Sequence, residues 1–456
     1  MSAPAPQAEL QAALAPSGPQ PDTLPLAELL RSLRPFPSAL AAAHAHVRTL
    51  MTTTETVGHP TGRPSTLIVL LLASTLGVMA GSVISPVVEV MRGEFGVSGT
   101  KAGLVVTAHA LAVAVTSPLV GRLIDRLGVR IPLAGGLVLY GLAGAAGLFT
   151  TSFGALIVSR LVFGIGAAAV FTGTTVALLQ LFQGSGRDRV MGWRSAANSV
   201  GGLVWPLLGG VLGGLSWHAP FGIYLVGVPI GLLILLVLPR ERTPRPERSP
   251  GGAIALLRRR PVLLGFYALQ AAASVFLYAT VVFLPQRLAA LGIHEPVTVS
   301  VYSVVTTGAV SSLVGLIYAQ ARSRLGYTSL LRLAAVCWAG SFTILGTVDQ
   351  PLLLLAGPAL LGFAQGLSLP SLTVLVNENA PPELRGQATS LAGTVIFGGQ
   401  FLSPLLLGPL ISRTSSTTGF LGAAGAALVI LVVLLMVRVP VPPAPGSTAA
   451  PKLCSL

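Results

Sequence analysis

The stretch Gly121-Arg122-Leu123-Ile124-Asp125-Arg126-Leu127-Gly128-Val129-Arg130 joins two long apolar runs, and Ser323-Arg324-Leu325-Gly326 repeats part of it. A step of 198 residues carries Arg126 to Arg324 and Gly128 to Gly326. The same step relates four further pairs: Gly164 and Gly362, Arg187 and Arg385, Pro206 and Pro404, and Gly210 and Gly408. Matches of Arg and Pro at one unbroken offset are uncommon in a Leu- and Gly-rich chain. The sequence therefore predicts a duplicated membrane bundle, which favours a transporter built from two halves.

Composition supports a membrane protein. Hydrophobic residues make up 52% of the 456 residues, and charged residues only 9%. The charges collect between apolar runs of about 20 residues, the length at which a helix crosses a bilayer. Because lipid offers no partner to backbone polar groups, such runs must be helical. The net charge of +14 is explained by basic loops that face anionic lipid, so no nucleic-acid partner is expected.

The pattern predicts an all-α integral membrane fold with twelve transmembrane helices, arranged as two pseudo-symmetric six-helix bundles. The predicted spans are 66–88, 101–121, 131–150, 154–181, 192–214, 219–239, 261–285, 298–320, 329–347, 351–376, 388–411 and 418–438.

Loop charges predict the orientation of these spans. Seventeen arginines fall on one face, against four basic residues on the other. The positive-inside rule makes the richer face cytoplasmic, so both termini of this multi-pass plasma-membrane protein are expected in the cytoplasm. The seventeen are Arg122, Arg126, Arg130, Arg187, Arg189, Arg194, Arg240, Arg242, Arg245, Arg248, Arg258, Arg259, Arg260, Arg322, Arg324, Arg332 and Arg385. The four are Arg92, Lys101, Arg287 and Arg413.

Five segments follow along the chain. Residues 1–63 are rich in Ala, Pro, Ser and Thr, which predicts a disordered cytoplasmic tail, and Met51 is an alternative start. Residues 64–240 form the first bundle and 261–439 the second. The basic, Pro-rich segment 241–260 is the expected linker between them, and 440–456 is a second disordered tail.

The sequence contains no motif typical of an enzyme or of a cofactor-binding site. It contains no phosphate-binding Gly-x-x-x-x-Gly-Lys-Ser/Thr loop and no nucleophile constellation. The two cysteines, Cys337 and Cys454, form no metal-ligand cluster with histidines. The protein is therefore expected not to be an enzyme and to hold no cofactor or metal.

Three motifs resemble the major facilitator superfamily over most of 65–438. Gly121-x-x-x-Asp125-Arg126-x-Gly128-x-Arg130 resembles the signature between its second and third helices. Leu156-x-x-x-Arg160-x-x-Phe163-Gly164 is similar to the fourth-helix motif of drug:proton antiporters, with Phe163 in place of Gln. Gly201-x-x-x-Trp205-Pro206-x-x-Gly209-Gly210 is similar to their fifth-helix motif, with Trp205 in place of Gly. Proteins with this fold work as monomers, and the resemblance implies the same here.

Asp125 suggests a conformational latch formed with Gly121, Arg126, Gly128 and Arg130. A carboxylate at a helix end can meet the positive N-terminal end of the helix that starts near Gly386. Such a contact contributes about 0.3–2 kcal/mol and biases the equilibrium between the halves if it exists in only one arrangement. The resemblance implies that it holds the outward-open form. Alternatively, these charges only fix loop topology.

Arg160 is the most deeply placed charge in the predicted spans. A guanidinium there costs about 2.5–3.5 kcal/mol on insertion scales, so it should face a cavity or a partner. The resemblance implies a role in proton release or substrate pairing; an interfacial anchor is the alternative. On the fifth helix, Gly201, Pro206, Gly209 and Gly210 predict close packing against the second half.

Proton coupling requires a titratable group, and no predicted span has a central Asp or Glu. His109 is the candidate relay, and a hydrogen-bonded core histidine is the alternative. Glu378 and Asp125 lie near cytoplasmic ends and are further coupling candidates. The side chain of Trp205 is expected either to project into the cavity or to face lipid or the protein core. In the fold that the motifs resemble, helices one, four, seven and ten line the cavity. Candidate substrate contacts are Arg160, Phe163, Tyr267, Gln270, Tyr278 and Gln365.

Three functions are compatible with these features. The first is proton-coupled efflux of a small hydrophobic or amphipathic molecule. The second is a carrier or facilitator for uptake of an organic anion or neutral solute, which Arg160 and the missing acids favour. The third is a membrane sensor or scaffold without transport. The expected partners are therefore a small-molecule substrate, a proton or other coupling ion, and the lipid bilayer.

Overall fold

The computed structural model describes residues 64–182, 184–239, 253–381 and 384–437, and within these ranges it contains helices and no strands. The predicted tails, 1–63 with Met51 and 440–456, lie outside the described residues. The long helices are α1 (Pro64–Ser82), α2 (Gly99–Leu127), α3 (Arg130–Ala145), α4 (Phe153–Leu181), α5 (Gly184–Gly213), α6 (Gly227–Val237), α7 (Val262–Ala290), α8 (306–325), α9 (327–347), α10 (Ala356–Asn379), α11 (Arg385–Arg413) and α12 (Ser416–Met436). Shorter helical segments are Ser85–Val87, Val88–Phe95, Ala146–Leu148, Ala219–Val226, Ala253–Arg259, Pro296–Ser300, Val301–Val305 and Pro351–Leu354.

Twelve spanning helices result from these elements. Eleven helical stretches are long and apolar enough to cross a membrane, one of them Pro296–Thr347 with 52 residues. That stretch contains a non-helical residue, Gly326, which separates α8 from α9. Counting the two sides of this break separately gives the predicted twelve. The eighth and ninth spans are thus joined by a single-residue break and not by the eight-residue loop that the sequence suggested.

The two turns that revealed the duplication have the same backbone conformation. Gly128 has φ 77° and ψ 168°, and Gly326 has φ 71° and ψ 166°. This region is open essentially to glycine alone, because a β-carbon would clash with the backbone. Each glycine ends one helix and starts the next within one or two residues, which keeps neighbouring spans antiparallel.

The repeat extends into the helix interiors. A β-carbon at Gly164 on α4 would lie 2.4 Å from the His109 carbonyl oxygen on α2. The equivalent β-carbon at Gly362 on α10 would lie 2.4 Å from the carbonyl oxygen of Thr307 on α8. In both places a glycine lets two helix backbones touch, as is common where helices pack in lipid.

Helices of the first and last six meet near the end opposite the two basic turns. Ser300 Oγ donates to the Pro206 carbonyl at 2.7 Å, and Ser85 Oγ donates to the Val281 carbonyl at 2.7 Å. A β-carbon at Gly408 would lie 2.8 Å from Thr100 Cβ. We call this end the closed face, and the end with the Gly128 and Gly326 turns the basic face.

The basic face is more open. Along α11, the residues up to position 398 include two buried ones, Ala388 and Ala392, whereas five are buried from Gly399 onward. A β-carbon at Gly386 or Gly393 would have no neighbour within 4 Å. The helices therefore converge toward the closed face and separate toward the basic face.

Three features of the basic residues could not be predicted from the sequence. The predicted linker contains a helix, Ala253–Arg259, whose Leu256 is fully buried. Arg130 does not extend to lipid head groups, since its Nη2 donates to the Leu235 carbonyl at the end of α6. Arg194 is not a loop residue: it lies ten residues inside α5 and is partly buried.

Candidate functional site

Arg160 lies inside the first six helices, where aromatic rings surround it. Its side chain has no solvent-exposed surface. The guanidinium carbon lies 4.6 Å from the centre of the Phe163 ring, 5.0 Å from that of Tyr224 and 5.1 Å from that of Phe221. Nη2 donates to the Gly144 carbonyl at 2.6 Å. Cation–π contacts of this kind contribute up to about 2 kcal/mol each where water is excluded, so the cage offsets the cost of burying the charge.

In this conformation Arg160 has its partners inside the protein, and its role in proton release or substrate pairing stays a prediction. The side chain faces neither an open cavity nor the lipid interface, because its partners come from α3, α4 and the segment Ala219–Val226 of the same half. Phe163, predicted as a substrate contact, is also fully buried and packs on Tyr140 with ring centres 4.4 Å apart. Both side chains are therefore enclosed by the first half in this conformation.

His109 and Tyr278 converge on one glycine of α1. A β-carbon at Gly81 would lie 3.1 Å from the Tyr278 hydroxyl and 3.2 Å from His109 Cε1. His109 is buried and meets the Phe163 ring edge-on, with centres 5.8 Å apart. Within the described part of the chain, its Nδ1 has no hydrogen-bond partner. Since Tyr278 belongs to α7, this histidine lies at the junction of the two halves.

The other predicted contacts on α7 and α10 mainly join helices. The Tyr267 hydroxyl donates to the Ala388 carbonyl of α11 at 3.0 Å. Gln365 Nε2 donates to the Ala273 carbonyl of α7 at 2.7 Å. Gln270 is buried, and its Oε1 has no partner among the residues that the structure places. The Oε1 atom of Gln365 likewise has no partner among the described residues, so both glutamines retain an unused acceptor.

The fifth-helix glycines pack on both halves. A β-carbon at Gly210 would lie 2.9 Å from the Pro296 carbonyl oxygen in the second half, as the motif predicts. One at Gly209 would lie 2.2 Å from the Val83 carbonyl oxygen, and one at Gly201 2.8 Å from Thr75 Cβ, both in the first half. Trp205 packs beside Gly201 and is partly buried.

The latch residues stand apart from any partner helix in this conformation. Asp125 is exposed and makes no ion pair or hydrogen bond with a described residue. Gly121 and Gly386 both face open space. Arg126 is exposed as well. The predicted contact between Asp125 and the start of α11 is therefore absent from this arrangement of the helices, and its existence in another arrangement stays a prediction.

Sequence reasoning missed a second group, which we call the midplane group: Ser74, Phe171, Arg194 and Phe397. Arg194 Nε donates to Ser74 Oγ at 3.3 Å, and its guanidinium carbon lies 5.9 Å from the centre of the Phe171 ring. Phe171 meets Phe397 edge-on, with ring centres 5.4 Å apart. The group therefore joins α1, α4 and α5 of the first half to α11 of the second.

The sequence carried one signal that could have identified Arg194. Arg194, Asn198, Gly201 and Trp205 are spaced by four, three and four residues, which places them on one face of a helix. The span was predicted to start at 192, so Arg194 was counted with the loop charges. The helix begins instead at Gly184, which puts Arg194 well inside it.

No group of three or more His, Cys, Asp or Glu side chains suited to a metal ion occurs in the described ranges.

Sequence relatives resemble part of this chain. It is 28% identical over 185 residues to multidrug resistance protein 1 of Bacillus subtilis, covering 41% of this chain and 46% of that one. It is 29% identical over 152 residues to the quinolone resistance protein NorA of Staphylococcus aureus, covering 33% and 38%. The chain thus matches less than half the length of these relatives.

Solved structures match over most of the chain. The nucleoside transporter NupG superposes with a TM-score of 0.65 and 18% identity, covering 81% of this chain and 98% of that one. A bacterial homologue of the human lysosomal transporter Spinster, in an inward-facing and occupied conformation, superposes with a TM-score of 0.68 and 16% identity, covering 83% and 96%. Both likenesses show a shared fold.

A family model agrees with the fold. The sequence matches the Major Facilitator Superfamily over residues 70–404, with a second match over 321–453. Together with twelve spanning helices and an internal repeat, this match covers most of the chain. The relatives and structural neighbours named above are transporters or resistance proteins and not enzymes. The chain therefore belongs to the Major Facilitator Superfamily and is a multi-pass membrane protein.

Proposed function

We propose that this protein is a secondary active transporter that exports a small hydrophobic or amphipathic molecule in exchange for protons. One observation carries this proposal: the helices converge at one face and separate at the other. A bundle of this shape is one of the two states that alternating access requires, with the central site reachable from a single side. Rocking the two halves about the midplane would close the basic face and open the other.

We further propose that the basic face is cytoplasmic. The predicted loop arginines concentrate there, and positive loop charge favours retention in the cytoplasm. The described conformation is then inward-open, with the Asp125 latch released. Closure of the basic face would bring Asp125 to the start of α11 and stabilise the outward-open state.

The relatives support export. Multidrug resistance protein 1 and NorA carry names that refer to resistance against drugs and quinolones, and both resemble part of the chain. Resistance of this kind results when a membrane protein lowers the internal concentration of a toxic compound. The direction of transport here is inferred by analogy with these proteins.

His109 is the group that we assign to proton coupling. It is the only buried histidine among the described residues, and it adjoins both Gly81 of α1 and Tyr278 of α7. A change in the relative position of the two halves would alter the contact between His109 and Tyr278. The proton affinity of the imidazole could thus differ between the two states, which is the requirement for coupling.

The test is collapse of a pH gradient in proteoliposomes that contain the purified full-length protein and an acidic lumen. Ethidium, a neutral amphiphile and 2-naphthoate are added separately, and luminal pH is followed with a trapped dye. We expect at least one compound to dissipate the gradient. His109→Thr should retain the fold and lose the coupled proton flux, because Thr307 occupies the equivalent position in the second half.

The matched control is Thr307→Ser, which keeps a hydroxyl at a position outside the proposed relay. Circular dichroism and thermal unfolding check that both variants remain folded. Undiminished proton flux in His109→Thr would exclude this histidine as the coupling group. The absence of proton flux with every compound, together with gradient-free counterflow of one of them, would replace the antiporter with the second candidate.

That second candidate is a carrier or facilitator for an organic anion. It is favoured by Arg194, which places a positive charge near the middle of the bundle. The two candidates share the same central site and differ in their coupling to protons, so the pH-gradient experiment separates them.

A further inference from the structure

The midplane group contains a positive charge without an acidic neighbour. Arg194 makes no ion pair with any described residue. Among the described residues, acidic ones occur at 89, 94, 125, 188, 295, 349 and 378, all in loops or within two turns of a helix end. Because an unpaired guanidinium at membrane depth is costly, its persistence indicates a function that requires it.

The four side chains of the midplane group lie at a similar distance from the basic face. Ser74 and Arg194 are each ten residues from the start of their helices, and Phe171 is ten residues from the end of its helix. Phe397 is twelve residues from the start of α11. At 1.5 Å per residue these positions are about 15–18 Å from the helix ends at the basic face, so the four side chains share one level inside the bundle.

Phe171 and Phe397 border the space between the two halves. A β-carbon at Gly77 of α1 would lie 3.8 Å from Phe171, whose ring also faces Arg194 of α5 and meets Phe397 of α11. Three helices therefore surround it, yet 43% of its surface is exposed. Its contact with Phe397 places this partly exposed ring where the two halves meet. Few other contacts join α4 to α11, so the ring pair can separate to admit a planar molecule.

Further unused polar atoms lie on the same helix faces. Asn198 and Trp205 share the face of α5 that carries Arg194, and Gln400 is one turn from Phe397 on α11. Asn198 Oδ1, Trp205 Nε1 and Gln400 Oε1 are buried and have no hydrogen-bond partner within the residues that the structure describes. A bound molecule with polar groups would provide the missing partners.

We propose that the midplane group binds an aromatic organic anion. Its carboxylate, or a comparable anionic group, accepts hydrogen bonds from the Arg194 guanidinium, whose Nε is held by Ser74 Oγ, and its ring inserts between Phe171 and Phe397. This inference rests on the proposed transport function and specifies its substrate class. A guanidinium pairs well with a planar carboxylate because it donates two parallel hydrogen bonds.

Charge should make the site selective. A lipophilic cation of the same shape would meet the Arg194 charge in a cleft of low dielectric, with no carboxylate to compensate it. The anion replaces the absent acidic partner. The site therefore discriminates by the sign of the charge, and the aromatic pair discriminates by ring character.

The test is equilibrium dialysis of radiolabelled 2-naphthoate against purified full-length protein in detergent, without a pH gradient. Two competitors isolate the features of the ligand: 2-naphthylmethylammonium reverses the charge, and decahydro-2-naphthoate removes the aromatic ring. We expect unlabelled 2-naphthoate to compete fully, the saturated acid to compete more weakly, and the ammonium compound not to compete at the same concentrations.

Substitutions in the midplane group test whether 2-naphthoate binds there. Arg194→Gln should weaken 2-naphthoate binding about ten- to a hundredfold, the range for loss of a charge-assisted pair. Arg194→Lys should restore part of the affinity, and Phe397→Leu should weaken binding about three- to tenfold through loss of the ring contact. Arg189→Gln is the matched control, because it removes an arginine from the exposed end of the same helix and should leave binding unchanged.

The outcomes separate this inference from the proposed function. Equal competition by the ammonium compound, or unchanged binding in folded Arg194→Gln, would overturn the anion site even if other compounds still drive proton flux. Binding that depends on Arg194, without any pH-gradient collapse, would support the site and overturn proton coupling. If Arg194→Gln does not fold, Arg194→Lys and Phe397→Leu decide: unchanged affinity in both would overturn the proposal.

Discussion

The first six helices and the last six share a backbone plan but bury different side chains in it. Gly128 and Gly326 have nearly identical backbone angles, and Gly164 and Gly362 approach equivalent carbonyl oxygens at the same distance. These shared glycines are therefore requirements of the fold, because both halves need them for the same turns and the same helix contacts.

The interiors differ around the fourth and tenth helices. In the first half, His109 and Arg160 occupy the positions that Thr307 and Pro358 hold in the second. There, Thr307 Oγ1 simply donates to the Pro358 carbonyl at 3.1 Å. Since the second half folds around a neutral pair, the fold itself does not need an ionisable pair at this place. The first half must stabilise its guanidinium with three aromatic rings.

The fifth and eleventh helices differ in the same way: polar side chains of the midplane group in the first half correspond to small apolar ones in the second. Gly201 and Gly399 are equivalent, and both pack against the first helix of their half. Arg194 and Ser74, however, correspond to Ala392 and Ala272. Small residues suffice for packing at these positions in the second half. A polar group in only one half thus indicates function, whereas a feature in both halves indicates architecture.

The largest expected effect tests the shared architecture. Gly164→Val and Gly362→Val each force a side chain against a helix backbone, and each should destabilise the protein by about 1–3 kcal/mol through overpacking. Thermal unfolding in detergent should show similar losses for the two variants. Gly393→Val, where no neighbour lies within 4 Å, is the control. A large loss in only one of the two halves would contradict their equivalence.

The second prediction tests a difference between the halves. Asp125→Asn should reduce transport about two- to thirtyfold, the range that corresponds to a helix-dipole contact of about 0.3–2 kcal/mol. Ser323→Asn, the same product residue at the equivalent position, should leave transport unchanged. Both are measured as substrate flux in proteoliposomes with equal amounts of folded protein. Equal activity in the two variants would remove the latch.

The smallest effect concerns a contact that both halves make with different residues. Arg130 donates to the Leu235 carbonyl at the end of α6, and Arg332 Nε donates to the Leu434 carbonyl at 2.9 Å near the end of α12. Arg130→Leu and Arg332→Leu should each destabilise the protein by about 0.3–1 kcal/mol, since each removes a cation from a helix C-terminus. Thermal unfolding measures this, with Arg122→Leu as the exposed control. A loss confined to Arg130→Leu would mean that the two caps are not equivalent.

The number and order of the spans could be predicted from the sequence, but their lengths could not. The second span was predicted as 101–121, whereas α2 extends over Gly99–Leu127. Hydropathy marks the apolar centre of a helix. Its ends depend on local chemistry: Ser98 Oγ accepts a hydrogen bond from the Lys101 backbone at the start, and Gly128 adopts a positive φ at the end.

The candidate site was predicted less well than the fold. Arg160 was identified from the sequence because placing an arginine within a membrane span is energetically unfavourable. The sequence does not reveal that Phe221 and Tyr224, some sixty residues later, would enclose it. Arg194 was overlooked because its helix begins eight residues before the predicted span. The sequence therefore did not show how far inside the helix Arg194 lies.

The sequence by itself determined the class of the protein. Apolar runs of bilayer length must be helical, and an unbroken offset of 198 residues fixes the duplication. Only the tertiary structure decided which charges are packed away and which face the central space. The physical reason is that burial depends on side chains distant in sequence, which converge only after the helices have packed. Arg160 is enclosed by its own half, whereas Arg194 packs on Phe171, which meets Phe397 of the other half.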